Sequence, residues 1–196
     1  METSSYHKIV ETGWRLRVEW DKYPPNPLEE DNESIVHWFT KHKTHHLFSN
    51  TKVDSDFVSS WGDIKRHLEE QYSPEVMLPI YMLDHSGITV KTTPFNNPFD
   101  SGQVGYVFID EEQMRKLSLT KKLAEEFLNA QVEIYDDYLT GNVVYCEIYK
   151  DGEEVASCGG FYGDDMMSNG VLEFVEEHTE DSDLALNLIE DLEGVL

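Results

Sequence analysis

The chain is short of cysteine, of basic residues and of long apolar runs, and each shortage excludes something. Two cysteines, Cys146 and Cys158, are too few for a disulfide-built scaffold, and a reducing compartment keeps them as thiols. The longest apolar stretches, such as residues 76–83, have the length of a strand and fall far short of a membrane span. The N-terminal METSSYHKIVETG lacks the apolar core of a signal peptide, which predicts a cytoplasmic protein. Basic residues number 15 against 39 acidic ones, a net charge of -24, and such a polyanion repels DNA and RNA. Walker A, GxGxxG, GxSxG and D-x-D-x-D-G patterns are also missing, so no cofactor is expected.

What the chain does have is polarised charge. From residue 123 onward 20 acids face a single base, Lys150, whereas the first 122 residues hold 19 acids and 14 bases. Lysine outnumbers arginine 11 to 4, and this one-sided placement argues against the spread acidity of a halophile. With 39% hydrophobic and 12% aromatic residues the chain can bury a core, unlike an acidic disordered tail. One-sided charge speaks of partners and solubility rather than of fold.

Periodicity predicts the elements. Trp14–Trp20 alternates, with Trp14, Leu16, Val18 and Trp20 on one face and Arg15, Arg17 and Glu19 on the other, as a half-buried strand does. Residues 35–48 read as loop with a short helical piece. Phe57, Trp61, Ile64, Leu68 and Tyr72 mark a helix over 57–72, stopped by Ser73-Pro74. Strands follow at 76–83, 87–92 and 103–109, with a proline-broken loop at 93–102. A helix over 120–139 takes Thr120 as N-cap and Gly141 as its terminating glycine. Its apolar stripe reads Leu123, Phe127, Ile134 and Tyr138 with Leu128, Tyr135 and Leu139. Residues 142–150 and 153–161 form a hairpin turning at Asp151-Gly152. That turn sets Lys150 against Glu153 and Tyr145 against Cys158, with Cys146 facing the opposite side. Two short acidic helices, 171–177 and 183–192, end the chain. The order of elements predicts an α+β fold, a largely antiparallel sheet with helices packed on it.

Three sequence blocks are informative together: LPIYMLDHSGITVKTTPFNNPFDSGQVGYVFID at 78–110, YDDYLTG at 135–141 and ASCGGFYGDD at 156–165. They resemble a family of small acidic proteins carried by bacteriophages, plasmids and integrative elements of Gram-positive bacteria. The resemblance covers residues 76–165, which divides the chain into a variable part (1–75), a family core (76–165) and an acidic helical extension (166–196), together one compact domain. It brings no catalytic residues to transfer. It implies a context, a counter-defence factor in a bacterial host cell, a class in which nucleic-acid mimicry recurs.

Several motifs offer chemistry. Asp84-His85-Ser86-Gly87 and Asp100-Ser101-Gly102 read as turns, and together they would make a polar corner. That corner is the best candidate if an enzymatic site exists, and the alternative reading it supports is a small hydrolase acting on a nucleotide-type substrate through Asp84, His85 and Asp100. Tyr162-Gly163-Asp164-Asp165 matches the polymerase YGDD motif by letter only. His37, His42, His45 and His46 lie close in sequence, but zinc needs three or four ligands in tetrahedral reach and no cysteine is near, so no metal is expected.

The favoured expectation is therefore a non-enzymatic inhibitor of anti-restriction or anti-CRISPR type. It would act as a nucleic-acid mimic on a host nucleic-acid-binding protein or nuclease complex. On the 120–139 helix Glu126, Glu133 and Asp137 share a face flanked by Glu125 and Asp136. Glu173, Glu176, Glu177, Glu180, Asp181, Asp183, Glu190 and Asp191 complete the partner-binding set. Helical neighbours at i+3 and i+4 stand about 5–6 Å apart, close to the spacing of phosphates along a strand. An adaptor role for the mobile element itself is the remaining alternative.

Overall fold

The computed structural model describes residues 5–10, 12–29, 36–53, 60–190 and 192. In chain order the elements are β1 (Ser5–Ile9), β2 (Trp14–Trp20), β3 (His37–Thr40), α1 (Trp61–Tyr72), β4 (Val76–Asp84), β5 (Ile88–Lys91) and β6 (Ser101–Ile109). They continue as α2 (Glu111–Lys116), α3 (Lys121–Thr140), β7 (Val143–Lys150), β8 (Glu153–Tyr162), α4 (Val171–Thr179) and α5 (Ser182–Ile189). The fold is α+β: two four-stranded antiparallel sheets, ordered β1-β2-β7-β8 and β3-β6-β4-β5, with helices packed on them.

The chain divides into two units, Met1–Asn26 with Asp137–Leu196, and Pro27–Asp136. These boundaries differ from the divisions at 75/76 and 165/166 drawn from the sequence. The reason is non-local pairing. β2 lies antiparallel to β7, Trp14 opposite Lys150 and Trp20 opposite Val144, so the N-terminal strands complete a sheet begun far along the chain.

In the first unit the alternation of β2 works as the sequence predicts. Leu16 and Val18 are fully buried, while Arg15, Arg17 and Glu19 occupy the other face. Cys146 and Ile148 of β7 join that inner face. Val171 and Val175 of α4 and Ala185, Leu188 and Ile189 of α5 cover it. Asp151 and Gly152 both take positive φ, 51° and 91°, the tight turn expected between β7 and β8. Register shifts at Val144/Cys146 and Ile148/Tyr149 change the pairing beyond it. Cys146 thus lies opposite Cys158, on the same face, and not on the side away from it. The first irregularity moves the pairs from Ile148 to Cys146 by one residue, and the second moves those of Val144 and Val143 by one more.

In the second unit β6 is central. Phe39 of β3 with Tyr106 and Phe108 of β6 packs on Ile64 and Leu68 of α1. The Trp38 ring meets Tyr135 of α3, centroids 5.6 Å apart. Ser60 caps α1 by accepting the Asp63 amide, and Ser73 ends it at φ 48°. Residues 54–59, including the Phe57 start predicted for this helix, lie outside the described residues. Residues 37–40 form a strand where loop and helix were expected, because pairing with residues 105–108 supplies hydrogen bonds that local sequence does not reveal. The buried stripe of α3 is Ala124, Leu128, Val132 and Tyr135, and Leu123 is 47% exposed. The predicted stripe was therefore rotated by about one residue, drawn by large side chains past the smaller Ala124 and Val132. Helix α2 went unread, although Asp110 and Gln113 form a reciprocal capping box at its start.

Candidate functional site

The predicted acidic residues fall into two sets, one on α3 and one on α4, α5 and the residues that follow them. On α3, Glu125, Glu126 and Glu133 are exposed, with Lys122 reaching Glu126 at 3.3 Å. Their neighbours are used by the fold. Asp136 Oδ1 accepts the Val90 amide at 2.6 Å and the Thr89 hydroxyl at 2.7 Å, tying the edge strand β5 to the helix. Asp137 Oδ1 accepts the Asn142 side-chain amide at 2.6 Å. Neither carboxylate projects freely, as the helical-face reading had assumed.

In the first unit Glu173, Glu177 and Glu180 follow helical spacing along α4 and its end, and all are exposed. Glu176 is half-buried. Asp181 caps α5 by accepting the Leu184 amide at 3.0 Å. Asp183 and Glu190 are exposed at the two ends of α5, and Asp191 lies outside the described residues. Beyond Lys150 the chain has 14 acids and no lysine or arginine. Glu180 and Glu190 stand at the C-terminal caps of α4 and α5, where negative charge opposes the helix dipole at about 0.3–1 kcal/mol each.

The polar corner assembles, with a different pairing. Asp84 Oδ2 meets His45 Nε2 at 2.8 Å, and Asp100 Oδ2 meets His85 Nδ1 at 3.4 Å. Asp84 and Asp100, one from each pair, line a cavity of about 370 Å3 together with His42, Phe99 and Gln103 among others. His42 Nδ1 accepts the His45 amide at 3.2 Å, which leaves Nε2 to carry the proton of the neutral ring. The Ser101 hydroxyl donates to the Asn97 carbonyl at 2.5 Å, so it is not activated by a histidine. Such a corner can hold polar groups or accept a proton; it presents no assembled nucleophile–base pair.

The histidines separate in space. His37 stacks on Phe108 at 4.8 Å, whereas His42 and His45 stack on each other at 5.0 Å. Among the described residues no group of three His, Cys, Asp or Glu side chains is arranged to hold a metal. In the YGDD stretch Tyr162 donates to the Pro25 carbonyl at 2.8 Å, and Asp165 accepts the Met167 amide at 3.0 Å as a turn residue. On the outer sheet face Arg17 bridges Glu19 at 2.7 Å and Glu147 at 2.6 Å, and the Glu147 hydrogen bond raises its pKa.

Sequence reasoning missed the partner of Asp84, His45, and the basic segment that carries it. Residues 36–53 contain three lysines and four histidines and no acid at all, a visible break in an otherwise acidic chain. Among the described residues no helix is long and apolar enough to cross a membrane. Compared with protein-family models, curated proteins and solved structures, the chain finds no match.

Proposed function

We propose that the protein is a mobile-element inhibitor of a bacterial nucleic-acid-binding defence protein. Its carboxylates would take the place of phosphates on that target's basic groove. The observation that carries this reading is the exposed row Glu173, Glu177, Glu180, Asp183 and Glu190, none of which has an ion-pair partner among the described residues. Glu173 and Asp183, in the first turns of α4 and α5, suit the helix dipole, whereas Glu180 and Glu190 at the helix C-termini oppose it, and Glu177 has no such role. A basic groove that normally holds phosphates supplies the missing counter-charge.

The test is affinity capture from bacterial lysate treated with nuclease, using the wild-type chain and a Glu173→Lys/Glu177→Lys/Glu180→Lys variant. Proteins held by the wild type and lost by the variant should be nucleic-acid-binding proteins, and added duplex DNA or RNA should displace them. Capture that is indifferent to both the reversal and the competitor contradicts the proposal.

A second reading, hydrolysis of a nucleotide-type substrate, is favoured by two histidine-paired carboxylates, Asp84 and Asp100, that line one cavity with His42. An Asp84→Asn/Asp100→Asn variant separates the two. On the inhibitor reading it keeps its biological activity, and on the hydrolase reading it loses turnover while retaining any partner.

A further inference from the structure

The acid-free segment 36–53 builds one wall of a second cavity in the Pro27–Asp136 unit, about 340 Å3 in volume. Its apolar side is formed by Phe39, Val53 and Ile64, and Lys41 and Lys52 stand at its margin with Thr51. Strand alternation explains the layout. Phe39 and Lys41 fall on the α1 face of the strand and its extension, while His42 falls on the other and lines the polar corner.

The wall is held firmly. Asn50 Oδ1 accepts the Trp38 amide at 2.7 Å, and the Asn50 and Thr51 amides donate to the Trp38 carbonyl at 3.1 and 3.0 Å. The Thr40 hydroxyl donates to the Phe48 carbonyl at 2.9 Å. Residues 48–51 are therefore tied to β3 by these bonds, and Thr51 is 5% exposed. A cavity walled this way is preformed and need not be ordered by its ligand.

Its polar margin is basic. Neither Lys41 nor Lys52 has a carboxylate partner among the described residues, in a protein with 39 acids. The carboxylate on the first turn of α1, Asp63, is engaged by the Ser60 hydroxyl at 2.7 Å and by Arg66 at 3.1 Å. Two ammonium groups with no carboxylate partner among the described residues, beside an apolar recess of this size, match a small molecule with an anionic head and a compact apolar body.

We infer that this cavity binds a small organic anion, its phosphate or carboxylate held by Lys41 and Lys52 and its apolar part seated against Phe39 and Ile64. This site is independent of the acidic helices and adds a ligand-binding function to the protein.

Amide NMR of the full chain, titrated separately with adenosine monophosphate, indole-3-acetate and inorganic phosphate, tests it. One or both organic anions should shift the amides of Phe39, Thr51, Val53 and Ile64. Response to the nucleotide alone assigns a phosphate head, and response to the indole acid alone a carboxylate head. Lys41→Ala/Lys52→Ala should weaken that binding at least tenfold, equivalent to about 1.4 kcal/mol. Lys65→Ala/Lys116→Ala, with the same loss of charge, should leave it unchanged. Three results would overturn the inference: no shift at these residues with either organic anion up to about 10 mM, equal binding of inorganic phosphate, or equal weakening by both double variants.

Discussion

Asp136 and Glu177 carry the same charge and lead different lives. Asp136 accepts two hydrogen bonds from β5, and its loss strands the Val90 amide beneath α3. Asp136→Ala should therefore cost about 1–3 kcal/mol in chemical denaturation, with faster hydrogen exchange at Val90. Glu177→Ala should change stability by less than about 0.5 kcal/mol. Equal effects would mean that the Asp136 hydrogen bonds are not formed. Burial divides the cysteines in the same way, since Cys146 is inaccessible and desolvation pushes its thiol well above the usual 9.0. A thiol reagent should label Cys158 alone in the native protein and both cysteines after unfolding. The neutral Cys146 thiol is the form that the fold favours. Its contribution is thus complete below the ordinary thiol pKa and declines as pH rises beyond it. Cys146→Ala should flatten that alkaline decline, and an unchanged slope would assign it elsewhere.

At the scale of elements, β6 organises the Pro27–Asp136 unit through pairing on both sides. Gly105 makes this possible, because a Cβ there would run into the carbonyl oxygen of Phe39 on β3. Gly105→Ala should destabilise by about 1–3 kcal/mol through displacement of β3, seen as a lower midpoint in thermal unfolding. Elements with strong local signals were legible in the sequence: the alternation of β2, the Asp151-Gly152 turn and the start and stop of α3. The elements that depend on distant partners were not. β3 is four residues long and takes its identity from β6, and the Cys146–Cys158 register follows from shifts that no turn motif announces. The site followed the same division. Exposure of Glu173 and Glu177 could be read from helical period, whereas the engagement of Asp136 and the pairing of His45 with Asp84 required the folded chain.

At the scale of the whole molecule the charge is unevenly distributed. The unit made of Met1–Asn26 and Asp137–Leu196 holds 20 acids and 5 bases, and the Pro27–Asp136 unit holds 19 acids and 10 bases. Self-repulsion in the first unit makes partial charge reversal there neutral or slightly stabilising for folding. The same reversal should be ruinous for a partner that reads the carboxylates. Partner affinity should also fall steeply between about 50 and 200 mM salt, as phosphate contacts do. The most direct measurement is the affinity of the captured partner for three proteins at fixed ionic strength. They are the wild type, the Glu173→Lys/Glu177→Lys/Glu180→Lys variant, and a Glu69→Lys/Glu70→Lys/Glu112→Lys variant with the same change of charge in the other unit. Mimicry by α4 and its end predicts at least a tenfold loss, about 1.4 kcal/mol, for the first triple and near-native affinity for the second. Equal losses, or none in either, would contradict it.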